Sequence, residues 1–184
     1  MSDDAALVEL LHFLRSHSYR FTAVTPATHA RVLARPAPQS PDLRDIFGWS
    51  RAFERQDLEP VLLAILERAS AVENVEDGRL RSRVRVASLG DDLFVHSAFP
   101  TDDVDAVFFG PDTYRFVRFV EHHLPMSGSP RRIVDMGAGT GAGGMAMARR
   151  FRYAKITLVD VNGRALRYAQ VNASAAALDV EYLQ

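Results

Sequence analysis

The sequence predicts an α/β protein in which a mainly helical N-terminal part with a β-hairpin precedes a parallel sheet wound with helices. Apolar residues recur at helical spacing in residues 5–15. Around residues 79–97 the spacing changes to alternation about turn residues. From residue 132 onward, short apolar strands alternate with helix-compatible segments, and a glycine-rich turn follows the first strand. This last pattern is that of a Rossmann-like, doubly wound sheet.

The composition limits the class of protein. Hydrophobic residues make up 47% of the 184 residues, which suffices for a packed core. The sequence contains no cysteine, so disulfides and thiolate metal sites are excluded. The net charge of −1 gives no general attraction to nucleic acid. No apolar run is long enough for a membrane span, and Asp3 and Asp4 open the chain unlike a signal peptide. We therefore expect a cytoplasmic protein.

Helices and their caps are predicted in order through the N-terminal part. The predicted helices are residues 5–15, 26–34, 42–47 and 58–69. Thr25 is expected to cap the second helix, with Pro26 at its first position, and Asp42 to cap the third. The proline-rich residues 35–41 are expected to form a turn or short linker.

Two strands, residues 79–89 and 93–97, are predicted to form a hairpin about Gly90, Asp91 and Asp92. Helices followed by a hairpin suggest a winged-helix-like module. We therefore expect two domains, a helical and β-hairpin substrate-recognition domain over 1–100 and a second domain over 101–184.

Four arginines alternate along the first hairpin strand and are expected to share one face. They are Arg79, Arg81, Arg83 and Arg85. One interpretation is a basic ridge that follows an RNA backbone. The other is a solvent-exposed strand face neutralised by Glu73, Glu76 and Asp77. We favour the second, because residues 1–100 carry 12 Arg against 14 acidic residues.

The glycine-rich turn, residues 137–141, lies between the strand at 132–136 and the helix at 142–150. Glycines let a backbone turn tightly and approach a ligand, and the following helix points its free N–H groups into the same space. The turn therefore predicts a site for a nucleotide-like cofactor. Gly139, Gly141 and Gly144 also satisfy the dinucleotide pattern, so a nicotinamide cofactor has to be considered.

Two carboxylates bear on the choice of cofactor. Asp135, two residues before Gly137, would face a pyrophosphate badly and suits a ligand with positive charge. Asp160, at the end of the strand at 156–160, suits the hydroxyls of an unphosphorylated ribose and fits either cofactor. Asp135 could also cap the helix that follows it, and the two roles are compatible.

Three segments carry a resemblance to a known family. Residues 134–141 resemble motif I of class I S-adenosylmethionine-dependent methyltransferases, and residues 158–162 resemble the next motif in a form common among enzymes that methylate amide or base nitrogens. Residues 108–113 resemble the Pro-Asp/Glu-Thr segment of release-factor glutamine methyltransferases and related "small domain" enzymes, which folds over the cofactor. The chain is thus similar to the N-terminal portion of this group.

The resemblance implies S-adenosylmethionine as the cofactor and assigns residues to it. Asp135 would place the ammonium end, the glycines would allow close approach, and Asp160 would hold the ribose hydroxyls. The implied cofactor-binding residues are Pro111, Asp112, Thr113, Asp135, Gly137, Ala138, Gly139, Thr140, Gly141, Asp160, Val161 and Asn162. No catalytic side chain is assigned. Without a partner acid at ligand spacing, His122 and His123 predict no metal site, and Phe108 and Phe116 are expected in the core.

The resemblance further implies that the methyl acceptor is a nitrogen of a protein glutamine or of an RNA base. In the family, an Asn-Pro-Pro-aromatic motif holds that nitrogen, and no such motif occurs in these 184 residues. Only three strands are predicted from residue 132 onward, at 132–136, 155–161 and 180–183. We therefore expect a truncated enzyme that is inactive alone. The alternatives are a non-catalytic cofactor-binding or interaction module and, less favoured, an NAD-dependent oxidoreductase.

Overall fold

The computed structural model describes residues 3–124 and 130–184. The helices are α1 (Asp3–Ser16), α2 (Pro26–Leu33), α3 (Leu43–Phe47), α4 (Pro60–Arg68), α5 (Pro111–His123), α6 (Ala142–Arg150) and α7 (Gly163–Ala175). The strands are β1 (Val72–Asn74), β2 (Leu80–Ser82), β3 (Val84–Leu89), β4 (Asp92–Ser97), β5 (Arg132–Met136), β6 (Lys155–Val159) and β7 (Glu181–Leu183). None of the described helices is long and apolar enough to cross a membrane.

The N-terminal helices begin at the predicted capping residues. The Thr25 hydroxyl accepts a hydrogen bond from the Thr28 N–H at 3.3 Å, directly before Pro26. The Asp42 carboxylate accepts from the N–H groups of Arg44 and Asp45 at 2.7 and 2.9 Å. Helix α4 begins two residues later than predicted, because its proline occupies the first helical position.

The predicted hairpin is present, but it is an interior element. Strands β3 and β4 pair antiparallel from Val84↔Ser97 to Leu89↔Asp92 and turn at Gly90. Every residue of β4 is buried. The hairpin packs against α1 and α3 of the N-terminal part and against α7. It therefore does not stand out as an exposed wing, and the winged-helix-like arrangement is wrong in this respect.

The prediction that four arginines share one face of a single strand is also wrong. The first hairpin strand breaks at Arg83, because β2 pairs with β1 and β3 pairs with β4. Beyond the break, β3 is buried on both faces, and Arg85 is only 4% exposed. Its Nε donates to the carbonyl of Gly48 at 2.9 Å. Arg79, Arg81, Arg83 and Arg85 therefore form no continuous ridge.

The exposed arginines of this segment pair with acids instead. Arg81 Nη2 lies 2.6 Å from a carboxylate oxygen of Glu73, and Arg83 Nε lies 3.5 Å from the other oxygen. Arg79 lies 3.9 Å from Asp77. The neutralised strand face is thus the arrangement observed for these three, while the side chain of Glu76 lies outside the described residues.

The C-terminal part contains the predicted parallel sheet, in the order β5-β6-β7. Its strands pair in register from Arg132↔Lys155 and from Thr157↔Glu181. Helix α6 joins β5 to β6, and α7 joins β6 to β7. The three predicted strands are therefore confirmed, although β6 ends at Val159, so that the residues after it are free to form a site.

Contacts join the N-terminal elements to the helices of this sheet. Helix α1 packs on α7, where Arg15 Nη1 donates to the Ala175 carbonyl at 3.0 Å. Asp92 of the hairpin accepts a hydrogen bond from Arg149 Nε of α6 at 2.6 Å. The division into domains 1–100 and 101–184 stays a prediction.

A histidine is enclosed beside the hairpin. His29 is fully buried, stacks on Phe99 at 4.2 Å between ring centroids, and places Nε2 3.0 Å from the Trp49 carbonyl oxygen. Burial, reinforced by the nearby Arg85 guanidinium, lowers the pKa of His29 from 6.5 to about 4. The imidazole is therefore neutral in the folded protein at neutral pH.

We predict that this histidine makes the folded state sensitive to acid. Since unfolding restores the ordinary pKa, the unfolded chain binds more protons than the folded chain between pH 6.5 and about 4. The free energy of unfolding therefore decreases as the pH is lowered through that window. The His29 contribution lost between pH 7 and pH 5 is about 2 kcal/mol. His29→Gln keeps a donor for the Trp49 carbonyl but does not titrate. Urea unfolding at both pH values should show that smaller loss in the variant, and equal losses would contradict the assignment.

Candidate functional site: a cofactor cleft

A cleft of about 470 Å³ lies at the carboxyl ends of β5 and β6. In a doubly wound sheet this is where ligands bind. Nine of the twelve predicted site residues line it: Asp112, Thr113, Asp135, Gly137, Ala138, Gly139, Thr140, Asp160 and Asn162. The other three do not line it: Pro111 begins α5, Gly141 packs against the protein, and Val161 is 93% exposed.

The glycine turn is open toward the cleft and closed toward the core. Gly137 and Gly139 have φ of +72° and +54°, and a Cβ on either would meet nothing within 4 Å. A ligand can therefore approach the backbone at both positions. On the other side, a Cβ on Gly141 would lie 3.2 Å from the Cβ of Ala169 in α7. The N–H groups of Gly137 and Ala138 both donate to the Val159 carbonyl, which fixes the turn to β6.

Asp135 has the capping role that the sequence left open. Its Oδ2 accepts a hydrogen bond from the Gly144 N–H at 2.7 Å, in the first turn of α6. Burial raises the pKa of Asp135, the Gly144 N–H opposes that shift, and the charge of Asp160 adds to it. A cation bound in the cleft would offset the unfavourable effects of burial and of the Asp160 charge on the ionised form of Asp135.

Asp160 joins the ends of two neighbouring strands. One carboxylate oxygen accepts from the Gly139 N–H at 2.8 Å, and the other accepts from the Asn162 N–H at 2.9 Å. Each oxygen has a second lone pair, so the carboxylate can still accept hydrogen bonds from two ligand hydroxyls.

The charge of the cleft is wholly negative. The three carboxylates of Asp112, Asp135 and Asp160 line it, and its lining contains no Arg, Lys or His. Within residues 3–124 and 130–184, none of the three lies in an ion pair. Such a cleft favours a cationic ligand and disfavours a pyrophosphate.

One wall of the cleft comes from the segment before and into α5. Asn162 Nδ2 donates to the Asp105 carbonyl at 2.9 Å, which ties that segment to the start of α7. Phe108 and Phe116 line the cleft and are 41% and 50% exposed. Their expected place in the core is therefore wrong. Sequence alone offered no signal for this, because large aromatic residues are usually buried, whether in a helix, as Phe116 is, or before one, as Phe108 is.

The part of the chain that the structure describes contains no candidate metal site. Residues 3–124 and 130–184 contain no group of three or more His, Cys, Asp or Glu side chains that could hold an ion. His122 and His123 lie at the exposed end of α5, and His123 Nδ1 lies 2.9 Å from the Phe119 carbonyl oxygen.

Residues 116–184 match the model of the methyltransferase small domain family. The match includes the glycine turn, Asp135 and Asp160. The match covers less than half of the chain and agrees with the resemblance of the sequence motifs to class I S-adenosylmethionine-dependent methyltransferases. No curated protein matches the chain significantly.

Several solved structures resemble part of this chain. An S-adenosylmethionine-dependent methyltransferase from Agrobacterium tumefaciens is 18% identical with a TM-score of 0.45, over 68% of this chain and 42% of that one. The 16S rRNA N2 G1207 methyltransferase of T. thermophilus, in complex with AdoMet and guanosine, is 20% identical with a TM-score of 0.41, over 72% and 40%. P. horikoshii TYW2, in complex with MeSAdo, is 16% identical with a TM-score of 0.43, over 86% and 62%. The chain thus spans less than two thirds of each.

We predict that Gly144 is required for packing at the base of the cleft. A Cβ there would lie 2.2 Å from Leu158 Cδ2, and Leu158 is fully buried. Gly144→Ala should therefore lower the free energy of unfolding by about 1–3 kcal/mol. The matched control is Gly163→Ala at the start of α7, where a Cβ would meet only the Gln184 side chain, at 3.5 Å. Urea unfolding should leave the control unchanged or slightly more stable, and equal effects would contradict this account.

Proposed function

We propose that this chain binds S-adenosylmethionine in the cleft and forms the cofactor-binding part of an enzyme that methylates an acceptor nitrogen. The observation that carries the proposal is the combination of three carboxylates, no cation and an open glycine turn in one cleft. S-adenosylmethionine carries a sulfonium and an ammonium, so it suits a negative site. Its unphosphorylated ribose suits the free lone pairs of Asp160.

Each residue then has a role in placing the cofactor. Asp135 faces the positively charged end, while Gly137 and Gly139 allow the ligand to lie against the backbone. Asp160 accepts from the ribose hydroxyls, next to Val161 and Asn162. On the other wall, Asp112 and Thr113, after Pro111, close over the ligand.

The chemistry depends on positioning. When bound, S-adenosylmethionine would supply a methyl group on a sulfonium sulfur. In-line attack by the acceptor nitrogen would break the carbon–sulfur bond, release a neutral thioether and leave the nitrogen to lose its proton to water. The chain's residues contribute by holding the reactive carbon still, since alignment alone can supply a large part of a displacement barrier. No side chain of the cleft is required as a nucleophile.

The acceptor is proposed as the nitrogen of a protein glutamine or an RNA base. The support is the form of residues 158–162, which resembles that of amide and base nitrogen methyltransferases. The broken arginine ridge removes one argument for RNA, because Arg81 and Arg83 are neutralised by Glu73. Labelled methyl transfer with the 184-residue chain alone, offered RNA or release-factor protein, tests the expected inactivity. Transfer to either substrate would contradict the inactivity and identify the acceptor.

Two alternatives make different predictions. A non-catalytic module would bind the cofactor and show no methyl transfer in any longer form of the protein. An NAD-dependent oxidoreductase would need the cleft to accept a pyrophosphate, which its three carboxylates disfavour.

We predict selective stabilisation by the methyl donor. In a thermal-shift titration at low salt, S-adenosylmethionine and S-adenosylhomocysteine should raise the melting temperature, because each binds the folded state alone. NAD at the same concentration should leave it unchanged. Protection by NAD but by neither sulfur compound would overturn the proposed function.

We predict that Asp160 holds the ligand by charge-assisted hydrogen bonds. Asp160→Asn keeps an acceptor for one backbone N–H but removes the carboxylate, so the affinity for S-adenosylmethionine should fall at least about tenfold. Calorimetry on the folded chain measures this directly. The control is Asp179→Asn, an exposed carboxylate of the same C-terminal part that lies outside the cleft lining. Unchanged affinity in Asp160→Asn would remove the residue from the site.

A further inference from the structure

A fully buried amide connects the interior hairpin to the glycine turn. Asn172 of α7 is 0% exposed. Its Oδ1 accepts from the Val95 N–H of β4 at 2.8 Å, and its Nδ2 donates to the Val95 carbonyl at 3.3 Å. The same Nδ2 donates to the carbonyl of Thr140 in the turn at 3.0 Å. The side chain thus bonds to both peptide groups of one hairpin residue and to the cleft.

The hydrogen bonds at Val95 satisfy backbone groups on the edge of β4 that does not pair with β3. Among the described residues β4 pairs only with β3, so its other edge presents backbone groups to the interior. Asn172 satisfies the N–H and carbonyl of Val95 there, and Ser97 bonds to Val107 two residues further along. A buried edge without such partners would be unfavourable. The side-chain amide of Asn172 is therefore held by β4 as well as by its place on α7.

The bond at Thr140 fixes the turn at a second backbone group. Asp160 holds the Gly139 N–H, and Asn172 holds the carbonyl of the following residue, Thr140. One turn earlier on α7, Ala169 packs against the position of Gly141. Residues three apart lie on one helix face, so α7 supports the turn along that face.

We propose that Asn172 is a positioning residue through which the hairpin and the cofactor cleft are energetically coupled. A ligand that orders the glycine turn strengthens the hold of Asn172 on β4, and an ordered β4 prepares the turn for the ligand. By linkage the two effects are equal in size. This inference rests on the proposed function for the identity of the ligand, but the hydrogen bonds themselves are independent of it.

The test uses Asn172→Asp in the 184-residue chain. The new carboxylate can still accept from the Val95 N–H, but its second oxygen faces the carbonyls of Val95 and Thr140. Affinity for S-adenosylhomocysteine by calorimetry should fall about tenfold. Amide hydrogen exchange should show that the ligand protects the Val95 N–H in the unmodified chain and no longer does so in the variant.

Arg15→Ala is the matched control. Arg15 bonds to Ala175 at the end of the same helix without touching the turn. It should lower the melting temperature while leaving the affinity unchanged within about twofold and the ligand protection of Val95 intact. A purely structural role for Asn172 predicts the same behaviour in Asn172→Asp, and that result would overturn the coupling.

Two further outcomes are distinguishable. If the unmodified chain binds neither S-adenosylmethionine nor its product, the proposed function fails, and the coupling is judged from ligand-free exchange at Thr140 and Gly141. Faster exchange there in Asn172→Asp supports it, and unchanged exchange overturns it. If Asn172→Asp does not fold, Asn172→Ser replaces it, since a hydroxyl can bond to Val95 but is too short to reach Thr140 as well.

Discussion

The arrangement of the cleft depends on one carboxylate that joins two strand ends. Asp160 accepts hydrogen bonds from Gly139, after β5, and from Asn162, at the start of α7. Parallel strands bring their carboxyl ends to the same edge but leave the following backbone unpaired. The carboxylate supplies the missing partner for two N–H groups at once. The glycine turn and the cap of α7 are therefore both set by a side chain that lines the cleft.

The negative charge of the cleft is energetically unfavourable, and a positively charged ligand would offset it. Burial and the neighbouring Asp160 both raise the pKa of Asp135, so its ionised form is held unfavourably. The Gly144 N–H and the N-terminus of α6 offset part of that cost. The remainder favours a positively charged ligand over a neutral one of the same shape. Selectivity against pyrophosphates follows from the same unpaired carboxylates.

Sequence reasoning succeeded where the signal is local. The caps at Thr25 and Asp42 and the glycine turn were predicted because each depends on neighbours within a few residues. The prediction that four arginines share one strand face was wrong, because alternation does not tell whether one or both faces of a strand are buried. Arg85 lies in a strand buried on both faces. The sequence assigned no role to Asn172, because its partners lie 77 and 32 residues away along the chain.

One wall of the cleft is formed by residues outside the region that matches the methyltransferase small domain family. The match begins at residue 116, whereas the wall includes residues 106–108, 112 and 113. That segment is fixed by Val107, which bonds to Ser97 of the hairpin, and by Tyr114, whose hydroxyl accepts from the Ala23 N–H at 2.9 Å. With Asn172 holding the glycine turn to the same hairpin strand, both walls are anchored on β4. The hairpin therefore helps to shape the cleft, although the residues that line the cleft begin at Ala106.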